Sequence, residues 1–387
     1  MSDPNAPTKT ISDFEAKLNE ADKKVASFDE DSSLLYKIRG ALRSNPTMIP
    51  ALVLILSILG FGTIANHFLT PNTLSLVLQQ VTVTGIVAIA QTIVILTAGI
   101  DLSVAPILVL SSVIMGKLAV ITGVPVPIAI IIGMFFGALM GWINGTIITY
   151  MKLPPFIVTL GTLSIFTALK LWYSGSESIR NSDLEEKAGG LLWFGNGVDV
   201  VHTDKGNGIR VTGLGDGIGN LFTTGDSLQV VATLTWGVLF LVVLAVVVWY
   251  MLNHTAWGRH VHALGDDPDA AMLAGIRTNW TLVSVYTFAG LICGFGAWIS
   301  IGRVGTISPI GFETVNLDSI TAVVIGGTSL FGGRGSIVGS VLGAIIVGVF
   351  NTGLALAGVD SYWQMFAIGT LVIIAVALDQ WLRRASQ

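Results

Sequence analysis

The chain has 387 residues, 52% of them apolar and only 11% charged, with 45 glycines and a net charge of −4. Soluble domains carry roughly 25% charged residues, so this composition excludes an ordinary soluble enzyme. The small negative charge, spread over loops and tail, offers no basic patch for nucleic acid and no acidic block for a cationic partner.

Residues 1–47 form a polar tail with seven Lys or Arg and eight Asp or Glu. No apolar stretch precedes Met48, which argues against a cleavable signal peptide. Ile11, Phe14, Leu18, Ala21, Val25 and Phe28 follow the spacing of one helix face, with Ser12 and Glu15 in capping-box register. A short amphipathic helix is expected there, lying on the lipid interface or docking on a partner.

From Met48 to Arg384 the sequence predicts an all-α polytopic bundle, because apolar runs long enough for a hydrocarbon core of about 30 Å recur with few interruptions. Ten spans are expected, starting near residues 48, 74, 103, 125, 155, 229, 280, 316, 336 and 362. With the tail inside, thirteen Lys or Arg fall on the cytoplasmic side, including Lys152, Arg259, Arg277, Arg334, Arg383 and Arg384. The short outer segments hold only Lys117, Lys170 and Arg303, so both termini are expected in the cytoplasm.

The first interruption is Ala98 to Ser103, where Asp101 breaks a long apolar stretch. An ionised Asp at a helix centre costs roughly 2.5 to 3.5 kcal/mol on insertion scales. Asp101 therefore either caps the next span at the cytoplasmic edge or lines a wet cavity deeper in; both readings interrupt a helix. Further along, Gly133, Gly137, Gly141 and Gly145 repeat every four residues, as do Gly335, Gly339 and Gly343, with a shorter pair at Gly290 and Gly294. Such stripes let helix backbones approach closely in lipid. Cys293 lies inside an apolar run and reads as a small packing group.

Residues 174–228 have a soluble character, with twelve glycines and eight Asp or Glu, and read as a periplasmic insert. Val198 to Thr203 and Ile209 to Leu214 are β-rich and predict a hairpin turning over residues 204–208. The loop of residues 253–279 is better signalled. Asp267 is placed to cap a helix, Pro268 suits its first position, Asp269 complements its dipole and Gly275 suits a left-handed stop. Met272, Leu273 and Ile276 then sit on a short rigid knob suited to a partner's groove.

Near the C-terminus, Gly326 to Ser336 is dense in glycine and predicts unwound backbone. No Gly-x-x-x-x-Gly-Lys followed by Ser or Thr occurs, so the chain is not expected to bind nucleotide through a P-loop. His254, His260 and His262 lack the accompanying ligands of a metal site, and no nucleophile–base pair stands at a convincing spacing. A neutral polyhydroxylated solute would need hydroxyl-matching side chains in the spans. Gln79, Gln80, Gln91, Asn144, Asp318 and Thr321 supply them, with Asp101 and Ser103 at the break; Gln79, Gln80, Gln91 and Asp318 are expected to face a pathway. An ion-coupled secondary transporter using Asp101 or Asp318 is the competing expectation.

The segment Asp269-Ala270-Ala271 followed by Gly275 resembles the loop by which permeases of bacterial ABC importers engage their ATPase. Leu96 to Val104 and Ile320 to Leu330 resemble the two most recognisable segments of the ribose, xylose and fructose importer group, while Met151 to Gly161 and Ala375 to Trp381 look closest to fructose-importer permeases. Ala105 stands where the group usually has glycine, and the outer loop is longer than usual. The resemblance implies a permease paired with a second copy, a cytoplasmic ATPase that holds the ATP–Mg, and a periplasmic sugar-binding protein. It also implies that Gly258, Arg259, Asp266, Asp267, Pro268, Asp269, Ala270, Ala271, Leu273 and Gly275 form the ATPase-coupling segment, and that the chain itself carries no cofactor.

Overall fold

The computed structural model describes residues 47–203, 206–213 and 229–384. The chain divides into two units, Met1–Met48 and Ile49–Gln387. The tail helix expected from the sequence lies outside the described residues.

Helices dominate. In chain order they are α1 (Met48–Ile64), α2 (Pro71–Leu96), α3 (Val104–Gly116, continued by a π-turn over Lys117–Ile121), α4 (Val126–Met151) and α5 (Pro155–Ser174). The insert carries α6 (Asn181–Ala188), and after it come α7 (Trp236–His254), the short pair α8 (Ala256–Asp266) and α9 (Pro268–Leu273), then α10 (Thr278–Val304), α11 (Val315–Ile325), α12 (Ile337–Leu356) and α13 (Ser361–Arg384). Among the described residues, seven helices are long and apolar enough to cross a membrane, while α1 and α11 are apolar but shorter. Large apolar side chains stay exposed along α1, α4, α5 and α7, as expected of surfaces solvated by lipid. The chain is a multi-pass membrane protein.

The glycine stripes explain how the bundle closes. The most extensive helix pair is α4 with α10, and a Cβ added at Gly137 would lie 2.6 Å from the carbonyl oxygen of Gly290. Gly141 and Gly145 meet the backbone of Tyr286 and Val283 in the same seam. On α12, Gly339 and Gly343 press on Gly326 and Ala322 at the end of α11. Dispersion between backbones replaces the hydrophobic effect in lipid, and only a missing Cβ permits the approach. Cys293 is fully buried in α10, inside the main apolar core.

The insert departs from a purely helical chain. Besides α6 it holds a 3-10 turn over Gly189–Gly195 and a three-stranded antiparallel sheet of order β2-β1-β3, formed by β1 (Gly197–Thr203), β2 (Gly206–Val211) and β3 (Gln229–Thr235). The β1–β2 hairpin runs from Val198 opposite Val211 to Thr203 opposite Gly206. Residues 206–208 join the strand, so the turn is tighter than the five residues expected. The third strand corrects the span expected from residue 229: Gln229–Thr235 pairs along the open edge of β1, and the helix begins only at Trp236. Val230, Val231 and Thr233 surround Ala232, a β-branched composition that suits a pleated edge, and the unpaired side of β1 captures it. Asp199 locks the sheet by accepting from Arg210 at 2.7 Å and from Thr233 Oγ1 at 2.7 Å.

Candidate functional site

Two helices end inside the bundle in the same way. At the end of α2, Ala98 adopts φ +58°; its N–H bonds Ile95 O at 2.9 Å and the Gly99 N–H reaches back to Val94 O at 3.2 Å. At the end of α11, Gly327 adopts φ +82°; its N–H bonds Val324 O at 2.9 Å and the Thr328 N–H reaches Val323 O at 3.1 Å. These paired bonds satisfy the last carbonyls of a helix that stops in a left-handed residue.

The segments beyond the two stops are built differently. The first break gives way to α3 at Val104, and Asp101 organises that restart. Its Oδ1 accepts from the Ser103 N–H at 2.7 Å and from Ser103 Oγ at 2.6 Å. Asn144 Nδ2 donates to Ser103 Oγ at 2.7 Å, and Gln91 Nε2 donates to the Asp101 carbonyl at 2.6 Å. Asp101 is only 1% exposed, with Gln91, Ser103 and Asn144 fully buried around it. The carboxylate is thus enclosed by protein and does not sit at an exposed edge. Asn316, at the start of α11, closes the break from the far side: it accepts from the Ala105 N–H at 2.9 Å and donates to Leu102 O at 2.7 Å. Nothing local in the sequence links residues 102 and 316, so this bridge has no sequence signal.

The second break, Gly326 to Ser336, is longer and held mainly by backbone. Ser329 N–H bonds Arg334 O at 2.8 Å, and Ser336 Oγ caps α12 at Gly339 N. Its tip leans on the first break, where the Gly333 N–H donates to Leu96 O at 3.0 Å. Gly265, next to last in α8, packs into the same spot. A Cβ there would overlap Leu96 O and stand 2.7 Å from Gly333 N, while a Cβ at Gly332 would stand 2.6 Å from Gly265 O and 2.9 Å from Ala98. Three backbones, from α2, α8 and the second break, meet at one point with no side chain between them.

Beyond Gly265 the chain leaves the bundle. Asp267 Oδ1 accepts from Asp269 N and Ala270 N at 2.9 and 3.0 Å, Pro268 opens α9, and Gly275 stops it at φ +84°. Ala271 is buried, whereas Asp266, Pro268, Asp269 and Ala270 are exposed and Leu273 presents 86% of its surface. Gly258, buried in α8, donates its N–H to the Thr255 cap, and the neighbouring Arg259 is exposed.

The polar residues expected on one pathway separate into three places. Gln79 donates to Ser75 Oγ and to Thr233 O of β3, so it fastens α2 to the insert. Gln91 belongs to the first break. Gln80 and Asp318 share a cavity of about 220 Å³ with Thr84, Arg303, Phe312 and Asn351, in which Gln80 Oε1 also accepts from Thr352 at 3.2 Å. Thr321 is buried and bonds back to Leu317 O within its own helix.

Broken helices meeting at a small-residue junction within an apolar bundle, with an apolar knob projecting from that junction, define a membrane permease. The chain belongs to the family of permease components of the branched-chain amino acid transport system type, whose model matches residues 73–376. It is 47% identical to the fructose import permease protein FrcC of Rhizobium meliloti over the full length of both chains. It is 38% identical to the ribose import permease protein RbsC of Bacillus subtilis, covering 85% of this chain and 89% of that one. Against the D-allose transport system permease protein AlsC of Escherichia coli the identity is 32%, over 84% and 88%. No solved structure matches the chain.

Proposed function

We propose that this chain is the translocation subunit of an ATP-driven importer that carries a monosaccharide, fructose before ribose, xylose or a polyol, from periplasm to cytoplasm. The sugar class is supported by the names of relatives that include fructose, ribose and allose permeases, the fructose protein at 47% identity. The chain moves its solute and does no chemistry on it.

The mechanism is supported by one observation more than any other, the junction of Leu96, Gly265 and Gly333. An ATPase subunit, holding its own ATP–Mg, seats Leu273 and Met272 in a groove; both side chains are exposed at the tip of α9. Closure of the ATPase displaces α8 and α9. Because Gly265 abuts both helix breaks with nothing compressible between, the breaks move with it. A second copy of the chain completes the pore, a binding protein delivers sugar on the insert side, ten helices span the membrane, and both termini lie in the cytoplasm. Asp101 serves as the organiser of the first break, since its carboxylate is committed to Ser103.

Reconstitution tests this. Proteoliposomes containing this chain, its ATPase and its binding protein should accumulate labelled fructose only when ATP is supplied, and Leu273→Asp should abolish ATPase assembly. Uptake by the chain alone, collapsed by an uncoupler, would replace this proposal with ion-coupled transport.

A further inference from the structure

A second cavity, of about 240 Å³, opens beside the first, lined by Pro106, Leu163, Thr167, Lys170, Glu313 and Asn316, among others. Phe312 lines both cavities. Two features of this place are not accounted for by packing. Lys170 is 5% exposed, yet among the described residues no hydrogen bond or ion pair holds its Nζ; Glu313 lines the same cavity. An ammonium group brings three donors and no acceptor, and with the rest of the side chain buried these donors are left to face the cavity that Lys170 lines. Phe312 stands at φ +60°, the one large apolar side chain among the five described non-glycine residues with positive φ. A bulky residue in the left-handed region is a true outlier, and such strain gathers where a side chain must be aimed.

We infer that the two cavities are consecutive sites for one neutral polyhydroxylated solute, with the Phe312 ring as the wall between them and Lys170 as a donor in the second. This rests on the sugar-import proposal. The chemistry of the wall selects the solute. Asn316 is spent on Ala105 and Leu102, which leaves Lys170 to donate, Glu313 to accept and Thr167 to do either. A hydroxyl group both donates and accepts, so a polyol satisfies the pair without adding charge. An anion would suit Lys170 but face Glu313, and a cation the reverse. Phe312, Pro106 and Leu163 offer the apolar surface that the C–H face of a sugar ring covers. The bridge through Asn316 ties this cavity to the restart of α3, so a displacement of the first break changes the cavity's shape.

The test is the amount of fructose or ribose moved per ATP hydrolysed by the reconstituted transporter. Lys170→Met should cut that ratio about tenfold, the effect of losing one charge-assisted hydrogen bond, while ATPase assembly and ATP hydrolysis persist. Phe312→Gly, which tolerates the backbone angle but removes the ring, should lower the ratio as well, and Phe312→Tyr should restore it. A purely structural role would lower assembly and hydrolysis together and leave the ratio unchanged. An unchanged ratio in assembled Lys170→Met transporters overturns the inference; should that variant not assemble, Glu313→Gln at the exposed rim decides it by the same criterion. A wild-type transporter that moves neither sugar with ATP refutes instead the sugar-import proposal.

Discussion

The two breaks in the bundle begin alike and differ in what holds them. After Ala98 the chain is fixed by side chains: Asp101, Asn144, Gln91 and Asn316 each bond a backbone or hydroxyl group of the break, Ser103 among them. After Gly327 backbone contact matters more: Gly332 and Gly333 allow the backbones of α2 and α8 to touch, with Thr328, Ser329 and Ser336 adding longer side-chain bonds. A side-chain network keeps its geometry when its neighbours move, whereas a backbone contact lasts only while its neighbours stay put. The first break is therefore the rigid half, moving as a unit, and both halves meet α8 at Gly265, the first through Leu96 O and the second through Gly333.

That contrast can be broken at its point of contact. Gly265→Ala forces a Cβ into Leu96 O and Gly333 N. It should eliminate ATP-dependent uptake while leaving the chain in the membrane, and ATPase assembly measured by co-purification should survive, since α9 is untouched. Normal uptake would remove the junction from the mechanism. A smaller effect is expected in the rigid half. Asp101→Ala leaves a buried N–H and hydroxyl without their acceptor, a loss of about 1–3 kcal/mol, whereas Asp101→Asn keeps an acceptor oxygen and should retain most of the stability. Thermal unfolding of the purified protein ranks the two; equal melting temperatures would show that the carboxylate contributes no capping. The smallest effects sharpen the symmetry between the two stops. Ala98→Gly should stabilise and Gly327→Ala destabilise, each by about 1 kcal/mol, because both positions require the left-handed backbone and only glycine adopts it freely. The same melts read them, and like-signed shifts would show that the two turns are not equivalent.

Much of this architecture is legible in the sequence because it depends on local rules. Lipid requires long apolar runs, and most of those runs became helices close to where the hydropathy changes. Asp267, Pro268 and Gly275 cap, open and stop α9 as their chemistry dictates. The glycine stripes announced close approach, though not that the seam of α4 lies on α10 and that of α12 on α11. Strand β3 was illegible because an apolar β-branched run reads equally as the start of a span; pairing with β1 decides it. The partners of the polar residues of the candidate site were likewise not legible. Gln79, Gln80 and Gln91 lie on one helix, and their partners, Thr233, Thr352 and Asp101, come from three different segments of the chain.

By itself the sequence determined the class of protein, the apolar elements, the two interruptions and the capped knob, since each depends on hydropathy, charge or the backbone preferences of a few adjacent residues. Only the tertiary structure decided that the interruptions touch one another and α8, that Asn316 bridges the first of them, and that Phe312 lines two cavities. Those are contacts between residues far apart in the chain, and no local propensity encodes which backbone a missing Cβ will admit.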